Sequence, residues 1–170
     1  MQIGIIALGS IIMGDDAFGA YVLQYLRANY DFPSEIELLD LGTPGPEFVN
    51  YLARFDAVIV LDAVKAKGDP GEVRLYRQQD IAKIPPTLRL SPHDPSLRDA
   101  LLAGDFIGEA PNDVLLVGVI PSEVELQTAL SEPVLNSIPE VEEAVISELR
   151  RLGFEPEKLS QPGEPDIWWA

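Results

Sequence analysis

Short apolar runs alternate with stretches of helical spacing along most of this chain. Residues 2–8 are apolar enough to predict a strand buried on both faces, 114–120 predicts another buried strand, 57–64 (AVIVLDAV) is the clearest strand, 36–41 predicts one more, and 72–76 a further strand at a sheet edge. Phe18, Val22, Leu23 and Leu26 recur at helical intervals within 17–30, and Asp15 or Asp16 is placed to cap that helix. Pro46 suits the opening of a short helix over 46–54, 96–103 resumes helical spacing, and 139–152 forms a final amphipathic helix ending at Gly153. Turns are expected at 42–45 and 67–71, and four prolines within 85–95 predict a loop.

Strands alternating with helices predict an α/β fold: one three-layer domain, with a twisted, mostly parallel sheet between helices and one antiparallel edge strand. The domain is expected over 1–157, followed by a Pro/Gly-containing tail over 158–170 that ends near Trp168 and Trp169 and either docks or stays loose. In such sheets ligands bind beyond the carboxyl ends of the strands. The residues after Leu8, Leu61 and Val119 are therefore the ones to inspect.

The turn after the first strand reads GSIIMGDDAFG. Gly9 and Gly14 have the GxxxxG spacing that opens a phosphate-binding loop, but Asp15 and Asp16 stand where such a loop needs Lys and Ser/Thr. Their charge would repel phosphate, and GxGxxG is absent too, so no nucleotide is expected here. One bland reading has one aspartate capping the helix and the other facing water. Asp62 follows the apolar run VIVL at the end of the central strand, where an N-cap or an ion pair with Lys65 or Lys67 is the plain alternative to a site role. His93, the single histidine, sits in LSPHDPS between two prolines, a stiff setting that suits positioned chemistry. Two carboxylates and an imidazole at one rim would suit a borderline divalent cation such as zinc or nickel, with coordination positions left open.

Composition narrows the classes. A formal charge of -16 argues against nucleic acid, since no basic cluster offsets it. With no cysteine there are no disulfides, thiolate metal sites or Cys nucleophiles, which fits a reducing compartment. No apolar run is long enough for a membrane span, and the first residues read as a core strand rather than a signal peptide. A cytoplasmic protein is expected.

Five stretches, in order, carry a resemblance: IGIIALGSIIMGDDAFG, LLDLGTPGPE, VIVLDAVKAKGDPGEV, SPHDPSLRDALL and LLVGVIPSEVELQTALSEPV. Over roughly residues 1–151 the chain resembles the endopeptidases that mature nickel-iron hydrogenases. The resemblance implies a single α/β domain that clips a short C-terminal extension from the hydrogenase large-subunit precursor after nickel insertion. It places the metal-contacting residues at Asp16, Asp62 and His93, with nickel held mainly by the substrate and zinc or cadmium able to stand in on the free protein. Gly42 and Thr43 either shape the peptide groove or serve as a plain turn. The chain departs from the family in having Ala7-Leu8-Gly9-Ser10 in place of Gly-x-Gly-Asn, and in Asp16 where close relatives often carry Glu.

Rival readings are a non-catalytic metal- or protein-binding module and a receiver-like signalling domain. The second needs acids directly after the first strand and a lysine after the last, and here GSIIMG intervenes and Ile120 precedes Pro121. A serine hydrolase lacks its GxSxG elbow.

Overall fold

The computed structural model describes residues 1–83, 85 and 97–170. The loop expected over 85–95 therefore falls, apart from Pro85, outside the described residues, and His93 with it.

In chain order the elements are β1 (Ile3–Ala7), a single 3-10 turn (Gly14–Ala17), α1 (Phe18–Asn29), β2 (Tyr30–Asp31), β3 (Ile36–Asp40), α2 (Phe48–Leu52) and β4 (Ala57–Ala63). Then come β5 (Val73–Arg77), α3 (Gln78–Ile81), α4 (Leu97–Ile107), β6 (Asp113–Val119), α5 (Glu132–Asn136), α6 (Ile138–Arg151) and β7 (Glu157–Lys158). The main sheet has the order β3-β1-β4-β6-β5. Its first four strands are parallel, and β5 runs antiparallel against β6 at the edge.

Alternation along the strands sorts the core into two layers. Ile3, Ile5, Ile59, Leu61, Leu115 and Val117 pack under α1, α5 and α6. Ile6, Val58, Val60, Val114 and Leu116 pack with Phe48, Leu52, Ile81, Leu97 and Leu101 of the helices on the other face. Each fully buried Leu or Ile contributes roughly 1.5–3 kcal/mol relative to exposure, so two dry faces hold the central strands firmly.

Several details differ from the sequence expectation. No side chain caps α1. Asp15 does not face water; it is fully buried. The helix expected over 96–103 runs on to Ile107, with Gly108 at φ 75° just beyond its end. The tail docks: Leu159 N donates to Asn29 O and Gly163 N to Ala28 O, both at 2.8 Å. β7 pairs with β2, and Trp169 joins Ala17, Tyr21, Leu130 and Leu135 in lining an open cavity of about 340 Å³. Trp168 meets Trp169 edge to face but stays 67% exposed. No helix among the described residues is long and apolar enough to cross a membrane.

Candidate active site

Three loops leave the carboxyl edge of the sheet side by side, because β1 lies between β3 and β4. Leu8 N donates to Leu61 O at 3.0 Å, Gly9 N to Gly42 O at 2.8 Å, and Leu41 N to Ala7 O at 3.1 Å. The turn after β1 is thus stitched on one side to β4 and on the other to the turn after β3. From β1 the chain crosses to β3, whereas from β4 it proceeds to β5 and β6 on the opposite side. The gap between the ends of β1 and β4 is therefore the topological switch point, where open α/β sheets bind ligands.

Asp16 and Asp62 flank that gap. Asp62 is the penultimate residue of β4, half-buried, opposite Gly118 of β6. By alternation it belongs with Val58, Val60 and Val64, on the face covered by α2, α3 and α4. Asp16 lies in the 3-10 turn, also half-buried, and its Oδ2 accepts the Ser10 amide at 2.8 Å. That bond folds the turn back on itself and holds the carboxylate at the sheet edge.

Two glycines make the approach possible. Gly9 has φ 115°, and a Cβ on it would lie 2.0 Å from the Asp16 carbonyl oxygen. Gly19 brings the start of α1 onto the strand ends, where a Cβ would lie 2.5 Å from Leu61 O. Any larger residue at either position pushes the first turn off the sheet.

The paired aspartates divide their work in a way the sequence left open. Asp15 is the buried one: its Oδ2 accepts the amides of Ser122 and Glu123 at 2.8 and 3.0 Å and the Ser131 hydroxyl at 2.8 Å. Its Oδ1 accepts the Ser131 amide at 2.7 Å. Each of these N–H and O–H donors replaces a hydration contact that burial removes from the carboxylate. Asp15 thereby clamps the loop after β6 to the turn after β1. No local pattern points to its partners, which lie more than a hundred residues away.

Gly42 and Thr43 stand on the flank of the same edge, Gly42 accepting from Gly9 and donating to Asp40 Oδ1 at 3.0 Å. His93 lies outside the described residues. Among those described, no three histidine, cysteine or carboxylate residues gather as a metal site, so the two aspartates need a further donor to complete one.

Comparison with known proteins bears on the same chain length. A family model described as hydrogenase maturation protease matches residues 20–148. The chain is 35% identical over 156 residues to the hydrogenase 2 maturation protease of Escherichia coli strain K12, covering 91% of this chain and 94% of that one. It is 34% identical over 131 residues to the hydrogenase expression/formation protein HupM of Azotobacter chroococcum mcd 1, of which it spans 63%. Among solved structures, the E. coli hydrogenase maturating endopeptidase HybD superposes with a TM-score of 0.85 at 35% identity, over 94% of this chain and 99% of that one. That structure has the fold described above.

Proposed function

The chain belongs to the hydrogenase maturation protease family and is a peptidase; from that premise we propose that it removes a short C-terminal extension from the large-subunit precursor of a nickel-iron hydrogenase once nickel is in place. The observation that carries this reading is the placement of Asp16 and Asp62 on either side of the β1–β4 switch point. In this reading His93 is the third contact. In the sequence, residues 82–96, which include it, connect α3 to α4. The far end of α4 lies at the amino edge of the sheet, where Asn112 N donates to Asp56 O at 2.9 Å. The helix therefore begins toward the edge that carries Asp16 and Asp62.

Nickel in this scheme is part of the substrate. Soft thiolates of the precursor hold it, and this chain has no cysteine to compete for it. Hard carboxylates and one imidazole make a weak nickel site alone, but they can complete the coordination of a nickel that arrives with its own thiolates. Docking then depends on metal insertion, and cleavage becomes a checkpoint. The same carboxylates are the groups at hand to take a proton from the attacking water. The cytoplasm is the proposed setting.

The test is incubation of the purified chain with nickel-loaded and nickel-free precursor, followed by mass measurement of the large subunit. Shortening of the loaded precursor alone is expected, lost in Asp16→Asn, Asp62→Asn and His93→Ala. Equal cutting of both precursors, or full activity in His93→Ala, would remove the nickel checkpoint from the reading.

A further inference from the structure

Beside the candidate site two large apolar side chains project into solvent. Ile12, in the first turn, is 50% exposed, and Leu126, in the loop after β6, is 79% exposed. The backbone holds them next to each other: Gln127 N donates to Ile12 O at 3.0 Å, Gly14 N donates to Gln127 O at 2.8 Å, and Met13 bridges to Gln127 in parallel register. The Asp15 clamp fixes the loop from Ser122 to Ser131. Single exposed apolar residues are ordinary. A pair held rigidly at the rim of a site is less so, because a binding surface that is already ordered loses little entropy on docking.

The two segments that build the lip are one-signed. Glu123 and Glu125 are exposed on the same loop, Glu123 accepting from Gln127 Nε2 at 2.9 Å. Neither residues 1–26 nor residues 99–149, which supply both halves of this lip, contain a lysine, arginine or histidine. Acidic segments without a cation of their own favour cationic partners and disfavour acidic ones, and the nearest lysines by topology, Lys65 and Lys67, follow β4 rather than the lip.

We propose that the Ile12–Leu126 lip is the docking surface for the polypeptide substrate, and that it takes a segment bearing an apolar side chain flanked by lysine or arginine. This rests on the peptidase reading above and adds where the chain outside the scissile region is held. A second apolar face, Leu102, Phe106 and Ile107 on α4, is also exposed, with Phe106 at 92%. It sits at the end of α4 that leads to the amino edge of the sheet, away from Asp16 and Asp62, and serves as the control.

The experiment measures binding of labelled nickel-loaded precursor to the full chain by fluorescence anisotropy, and cleavage alongside it. Leu126→Lys and Glu125→Lys are compared with Phe106→Ser. Each lip variant is expected to weaken binding about tenfold or more, with cleavage at saturating precursor within about twofold of the parent. Phe106→Ser is expected to leave both unchanged. Raising salt from about 50 to about 300 mM should weaken the parent several-fold and Glu125→Lys less. Unchanged binding in both lip variants, or a loss caused by Phe106→Ser instead, overturns the proposal. A chain that binds through the lip without cutting keeps the docking surface and overturns the proteolytic reading. One that neither binds nor cuts overturns both.

Discussion

Asp15 and Ser131 are joined twice, the Ser131 amide reaching Asp15 Oδ1 at 2.7 Å and its hydroxyl reaching Oδ2 at 2.8 Å. Together with the Ser122 and Glu123 amides, this makes the fully buried Asp15 the acceptor for four donors on one loop. Hydrogen bonds to a buried charge are worth about 1.5–3 kcal/mol each but do not add fully, so Asp15→Ala should cost about 3–5 kcal/mol. For a chain of this size that lowers Tm by about 10 °C, whereas Ser131→Ala, which removes only the hydroxyl arm, should lower it by about 3 °C. Thermal unfolding followed by circular dichroism reads both. Equal losses would mean that the hydroxyl, not the carboxylate, holds the loop.

Gly9→Ala should disable the site without emptying the core. Its Cβ would sit 2.0 Å from the Asp16 carbonyl at a φ of 115°, so the turn must move, and with it the Ser10–Asp16 bond. The expected outcome is a stability loss of about 2–4 kcal/mol and abolished cadmium binding in a calorimetric titration. Gly42→Ala is the useful partner: φ is 58°, but a Cβ there meets nothing nearer than Gly9 O at 4.0 Å. It should cost only about 1 kcal/mol and leave cadmium binding intact. Loss of binding in both would show that the turn after β3 is part of the site rather than its support.

The strands that position these residues were legible because burial on both faces writes an uninterrupted apolar run: AVIVLDAV became β4 and VLLVGVI became most of β6. The antiparallel edge was legible from Glu72–Tyr76 through its mixed pattern. What escaped reading was short or non-local. α3 and the β2–β7 pair are too brief for any periodicity, and β7 exists only because Lys158 and Glu157 meet Tyr30 and Asp31. The aspartate pair stands out in the sequence, yet its split into clamp and rim depends on Ser122, Glu123 and Ser131. No local pattern announces such contacts. Ile12 and Leu126 were equally silent, since each is an ordinary apolar residue until the bridge through Gln127 sets them together.

Acid should weaken the fold through Glu148. Burial opposes its ionisation, and hydrogen bonds from Arg151 and Arg77 outweigh that, carrying its pKa down to about 2. The carboxylate is 4% exposed, with Arg77 Nη1 at 2.6 Å and Arg151 Nη2 at 2.8 Å, and Asp113 pairs with both arginines. Because the folded value lies below the unfolded one, the stabilisation is complete above about pH 5 and disappears as pH falls toward 2. Its ceiling is about 3 kcal/mol, reduced by the half-exposed arginines. In urea titrations Glu148→Gln should therefore be less stable than the parent at neutral pH, and the gap should close by about pH 2. A gap that stays constant with pH would assign the loss to packing alone.

At the alkaline end the tail and α6 are linked through Glu142. Its carboxylate accepts the hydroxyls of Tyr25 at 2.7 Å and Tyr30 at 2.5 Å and pairs with Lys158 of β7 at 3.1 Å. Burial first, and then the hydrogen bond to Glu142, push both phenols up to about 12. A folded value above the unfolded one means that the stabilisation holds below about pH 10 and is lost as pH rises through 12. Two of the five tyrosines should thus ionise near pH 12 in an ultraviolet titration. Glu142→Gln should bring those two down by about one unit, since it removes the charge while keeping an acceptor. The same change releases Lys158, so limited proteolysis should cut the segment after Phe154 faster than in the parent. Unmoved tyrosines with a tail still resistant to protease would show that β7 is held by its backbone pairing and by Trp169, not by Glu142.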